Sequence, residues 1–80
     1  MNHGTLNRLA ISDEGFVFDP LTGTSYTVNH TALRILQQRI AGRNDEETAT
    51  DLTDTFGIGE QAAERDLQDF LLQLRNLELI

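Results

Sequence analysis

An 80-residue chain with 39% hydrophobic and 24% charged residues and a formal net charge of −7 has room for one small domain with a thin core. The absence of cysteine excludes a disulfide scaffold, a thiolate metal site and a cysteine nucleophile. No apolar run approaches the roughly 20 residues of a membrane span, the first ten residues lack the apolar segment of a signal peptide, and the acidic balance argues against nucleic-acid phosphate as the main partner. A cytoplasmic location is expected.

The charge is uneven. Residues 1–43 carry four arginines against Asp13, Glu14 and Asp19, whereas residues 44–80 carry Arg65 and Arg75 against ten acids. The C-terminal half therefore presents an acidic surface. Taken singly, these acids read as the solvated faces of helices.

The first third reads as strands, after a tail over residues 1–5 that is expected to be flexible. Leu6 to Ile11 alternates imperfectly, with Leu9 and Ile11 two apart. Asp13-Glu14-Gly15 is a turn signal. Phe16-Val17-Phe18 puts two aromatics on one face of a short strand. Asp19-Pro20-Leu21-Thr22-Gly23 supplies a turn, and Thr24 to Val28 alternates polar and apolar residues, with Tyr26 and Val28 directed at a core. A three-stranded meander of this size cannot stand alone and needs helices over its apolar face.

The remaining two thirds supply them. Asn29 is a good N-cap, followed by Ala32, Leu33, Leu36 and Ile40 at helical spacing and a stop at Gly42. Asn44 caps a second helix, with Glu47 placed to complete a capping box and Asp45, Glu46 and Glu47 at the positive end of the helix dipole. Ala49, Leu52 and Phe56 form its narrow apolar stripe, and Gly57 ends it. In the last helix Ala63, Leu67, Phe70, Leu71, Leu74 and Leu77 recur at three- and four-residue steps. Glu64, Gln68 and Arg75 lie to one side of that stripe, and Asp66, Asp69 and Gln73 to the other. Leu72 lies nearly opposite it, beside Arg65. The order implies an α+β domain, a three-stranded antiparallel sheet followed by three helices, over residues 1–80.

Catalytic chemistry is hard to find. His3 and His30 are far apart, the first on the tail and the second in the first turn of a helix, and they share no acidic ligand pattern. Ser12 and Ser25 lack a nucleophile-elbow context. Gly57-Ile58-Gly59 has neither the preceding strand nor the following lysine of a phosphate loop. Asp66 and Asp69 sit on one helix flank with nothing to perturb them. The chain reads as a binding module rather than an enzyme, with no metal and no cofactor.

The passage Gly15-Phe16-Val17-Phe18-Asp19-Pro20, Gly23, Tyr26-Thr27-Val28-Asn29 leads into an apolar helix ending at Gly42. A final helix with Ala63-Glu64-Arg65-Asp66-Leu67, Phe70-Leu71 and Leu74 closes on Leu79-Ile80. Together these resemble the PqqD family over nearly the whole chain, and in detail the PqqD-like proteins encoded beside a relative of HPr kinase. The resemblance implies a winged helix-turn-helix fold and a function as the recognition element of a ribosomal peptide modification system. Such a protein binds a leader or precursor peptide as an added strand and presents it to a modifying enzyme, either a radical enzyme or the HPr kinase relative. Mapped here, it implies that the peptide lies along Ser25, Tyr26, Thr27 and Val28 and packs on the last helix.

The strand physics points the same way. Thr24 to Val28 carries none of the lysines or prolines that block natural strand edges. On the last helix, Leu72 is the candidate apolar contact, and Arg65, Gln68 and Arg75 are the candidate polar contacts. Two rival functions remain at the level of sequence. A winged helix-turn-helix can bind DNA, which the acidic last helix opposes. A protein–protein adaptor docking to a kinase-like partner would hold no peptide.

Overall fold

A computed structural model describes residues 6–80. Three antiparallel strands, β1 (Ala10–Ile11), β2 (Phe16–Asp19) and β3 (Thr24–Thr27), form a sheet in the order β1-β2-β3. Three helices follow: α1 (His30–Ile40), α2 (Asp45–Phe56) and α3 (Glu60–Asn76). This is the α+β order that the change of hydrophobic period implies. The expectation of a flexible tail over residues 1–5, with His3 on it, lies outside the described residues.

One expectation is corrected at the start of the chain. Leu6 to Ile11 does not form one strand. Leu9 N–H donates to the Leu6 carbonyl at 3.2 Å, closing a turn, and only Ala10–Ile11 is extended. The turn explains the sequence pattern. Leu6 and Leu9, three apart, are both buried. A strand would send residues three apart to opposite faces, whereas a turn brings them to one.

The sheet pairs Phe16 with Thr27, Val17 with Tyr26 and Phe18 with Ser25. Val17 and Tyr26 face the helices and pack into the core. Phe16 and Phe18 do share a face, as the alternation requires, but it is the outer one, where they are 62% and 42% exposed. Gly15, at the entry to β2, has φ +93°, and a Cβ there would run into the carbonyl oxygen of Val28. Only glycine allows β3 to close this tightly over the turn.

The helices form where local signals place them. The Asn29 side chain accepts from Ala32 N–H at 2.8 Å. The Asn44–Glu47 capping box is complete, with reciprocal bonds of 2.8 and 3.0 Å. Ala63, Leu67, Phe70, Leu71 and Leu74 of α3 are all buried, and so are Ile35, Leu36 and Leu52 from the other helices. Buried Thr48 adds a member to the core face of α2. It is tolerated because its hydroxyl donates to the Asn44 carbonyl at 2.8 Å. Phe56, expected on the stripe of α2, is its last residue, next to the left-handed Gly57 that caps the helix, and is exposed. Arg34 and Asp51 tie α1 to α2 through two bonds of 2.6 and 2.7 Å. The guanidinium bonds hold the Asp51 carboxyl below its ordinary pKa.

Candidate functional site

The site begins with an unpaired strand edge. Among the described residues, β3 has a neighbour on one side only. Val28 N–H donates to the Gly15 carbonyl at 2.8 Å, so the amide of Val28 faces β2. Backbone groups alternate in direction along an antiparallel strand. Tyr26 therefore also pairs inward, while Ser25 and Thr27 turn their N–H and C=O groups to the free edge. That edge offers two donors and two acceptors to an incoming chain, with no proline or lysine to block it.

A groove runs beside this edge, between β3 and α3. Two adjoining depressions of about 350 and 200 Å³ make it up, and both are lined by Thr27, Val28, Phe70 and Gln73. At one end stand Asp66, Asp69, Asn29 and Thr31. At the other the walls are apolar, formed by Tyr26, Leu74, Leu77 and Leu79. Leu79 reaches this position because the chain after α3 reverses sharply. Leu79 N–H returns to the Leu74 carbonyl at 2.9 Å through Glu78, which adopts φ +60°.

The sequence-derived site residues divide between places. Ser25, Tyr26, Thr27 and Val28 lie together along the edge, with Tyr26 and Val28 half-buried against the core and Ser25 and Thr27 exposed. Residues on an α-helix are separated by about 100° per step. The flank of α3 turned to β3 is the one bearing Asp66, Asp69 and Gln73. Gln68 is on the other flank, where it lines a cavity of about 470 Å³ between α2 and α3 with Thr50, Thr53 and Glu64. Arg75 shares that angular position. Leu72, 55% exposed, and Arg65 point away from the core stripe into solvent. The structure thus gathers Tyr26, Thr27 and Val28 at the groove, leaves Ser25 on the edge with its side chain on the outer face of the sheet beside Phe18, and does not bring Arg65, Gln68, Leu72 or Arg75 to the groove.

Sequence reasoning separated the two flanks of α3 correctly but had no means of telling which one faces the sheet. Leu77 continues the core stripe by spacing, and that spacing hides it as a groove residue. At the end of the helix the stripe runs out of protein to pack against, and Leu77 is 46% exposed.

The electrostatics of the groove are one-sided. Asp66 and Asp69 line it, and no arginine does. The three ion pairs among the described residues use Asp19, Asp51 and Asp45, so neither groove carboxylate is paired. Among the described residues, no three His, Cys, Asp or Glu side chains gather closely enough to hold one metal ion.

Two solved structures share this fold. One is TbiB1 in complex with the TbiA(beta) leader peptide, which is 29% identical and superimposes with a TM-score of 0.77 over 89% of this chain and 84% of that one. Another is lasso peptide synthetase B1 complexed with the leader peptide, 28% identical, with a TM-score of 0.72 over 85% and 81% of the two chains. No curated protein matches the sequence. The model of the family described as Coenzyme PQQ synthesis protein D (PqqD) matches residues 14–80, which span every core position of β2, β3 and the three helices. On that match the chain belongs to the PqqD family.

Proposed function

We propose that this protein binds the leader segment of a ribosomally made precursor peptide as a fourth strand on β3 and presents it to the enzyme that modifies the peptide. The observation that carries the reading is the open edge at Ser25 and Thr27 beside a groove walled by α3. Main-chain pairing to that edge supplies affinity that depends little on sequence, and the groove selects among side chains. Both similar solved structures are leader-peptide complexes, which supports the same occupant here.

In this reading the chain is a binding module and carries out no bond chemistry itself. The peptide rests on Ser25 to Val28 and on the flank of α3 with Asp66, Asp69, Gln73 and Leu77. The receiving enzyme is a radical enzyme or an HPr kinase relative, as the sequence resemblance implies.

The test exploits the direction of the Thr27 amide. Thr27→Pro removes a donor that faces outward, so the β2–β3 ladder stays whole. Tyr26→Pro removes one that faces β2 and damages the fold. A labelled precursor peptide should bind the parent protein and shift the amide resonances of β3 and α3. Thr27→Pro should bind at least tenfold more weakly while melting within a few degrees of the parent. Undiminished binding by Thr27→Pro would overturn strand addition at this edge.

A further inference from the structure

The two ends of the groove differ in chemistry, and their order along the strand gives a bound peptide a direction. Asp66 and Asp69, early in α3, lie with Val28 and Asn29 just past the end of β3. Leu74, late in α3, and Leu77, the residue that caps its end, lie with Tyr26. The helix and the strand therefore run in opposite senses along the groove. Resting on the peptide-binding reading above, we propose that the occupant carries a basic side chain that bridges Asp66 and Asp69. About four residues C-terminal to it, the occupant carries an aliphatic or aromatic side chain that fills the recess of Tyr26, Leu74, Leu77 and Leu79.

The charge follows from what is missing. Two carboxylates three residues apart share the flank, their Cβ atoms on the order of 5–6 Å apart. Among the described residues, neither is in an ion pair and no cation lines the groove. One guanidinium can reach both carboxylates, and a charge-assisted bond in a half-enclosed groove is stronger than an exposed surface pair.

The spacing follows from geometry. Asp69 and Leu77 are eight positions apart. At 1.5 Å per residue that is about 12 Å along α3. A strand covers that distance in about four residues. The even number matters, because only side chains an even number of residues apart lie on the same face of a strand. The order follows from antiparallel addition, the pairing that β2 already makes with β3 and the more stable kind per residue. An antiparallel peptide enters at the Val28 end and leaves at the Thr24 end, so its basic residue precedes its apolar one.

A displayed library of short random peptides tests this with the intact protein. Selection on the parent should enrich Arg or Lys four residues before Leu, Ile, Val or Phe. An enriched peptide should lose roughly tenfold in affinity with the Asp66→Asn, Asp69→Asn double variant, and its affinity for the parent should fall with salt. If enriched peptides depend on the Thr27 amide but show no basic preference and bind the double variant equally, this inference fails while strand addition stands. If no peptide is enriched, or enriched peptides ignore Thr27→Pro, both fail together.

Discussion

Arg8 and Asp19, eleven residues apart, close a two-pronged ion pair with bonds of 3.0 and 2.9 Å. The Asp19 carboxylate also accepts from Leu21 N–H at 3.0 Å, and its residue is almost wholly buried. One side chain thus pins the N-terminal turn, the end of β2 and the turn into β3. The guanidinium bonds, followed by the Leu21 amide, hold the Asp19 carboxyl down at about 2 against the opposing pull of burial.

A folded-state pKa below the unfolded value means that stability is present above about pH 4 and is lost as pH falls through about 2. Thermal melts of the parent between pH 7 and pH 2 should show a steep loss in that window. Asp19→Asn should melt lower at pH 7 and lose less on acidification, since it has no carboxylate to protonate. Equal acid sensitivity in the two proteins would show that other carboxylates govern the acid limb.

The chain reversal after α3 places a residue other than glycine in the left-handed region. Glu78 has φ +60°, where Glu78 N–H meets the Arg75 carbonyl and Leu79 N–H meets that of Leu74. A side chain in this conformation costs on the order of 1–2 kcal/mol, part of which glycine forfeits through its freer unfolded chain. Glu78→Gly should raise stability by about 0.5–1 kcal/mol in urea unfolding. A destabilised variant would mean that the Glu78 side chain makes a contribution beyond its backbone geometry.

What could be read from the sequence was mostly local. Asn29 and the Asn44–Glu47 box declare helix starts because a cap and its target lie within three residues of each other. The α3 stripe declares itself because every member is on one helix. Asp19 reads only as a turn residue, since its partner Arg8 lies in a segment whose apolar spacing imitates a strand. The groove wall was legible as a pair of helix flanks and no further. Which flank meets β3 depends on how α3 rolls over α1 and α2, and that roll is set by packing among Ile35, Leu36, Leu52 and Leu71. No spacing within α3 encodes it.

Duplex DNA should not bind. The helix that a winged-helix reader would place in a groove is here α3, with Glu60, Glu64, Asp66 and Asp69 against Arg65 and Arg75. Asp45, Glu46 and Asp54 of α2 line the cavity beside it. Phosphate approach to that surface is repulsive. Anisotropy titration of a labelled duplex at low salt should show no association at micromolar protein. Tight, salt-sensitive binding would restore a nucleic-acid function.

Leu72 and Leu77 separate two possible faces of α3 cleanly. Both are large, apolar and about half exposed, at 55% and 46%. Leu72 points opposite the core stripe, and Leu77 lines the apolar end of the groove. Glutamine suits a helix and keeps the length of the side chain, so Leu→Gln at each position is a matched probe. Leu72→Gln should alter stability by less than about 0.5 kcal/mol, as surface changes do, and should leave peptide affinity unchanged. Leu77→Gln gives up contact area that a bound apolar side chain would cover. Half of a leucine's burial is worth about 1 kcal/mol, so precursor-peptide affinity should fall roughly fivefold with little change in melting. The reverse pattern, with Leu72→Gln weakening binding and Leu77→Gln not, would move the peptide to the solvent face of α3 and away from β3.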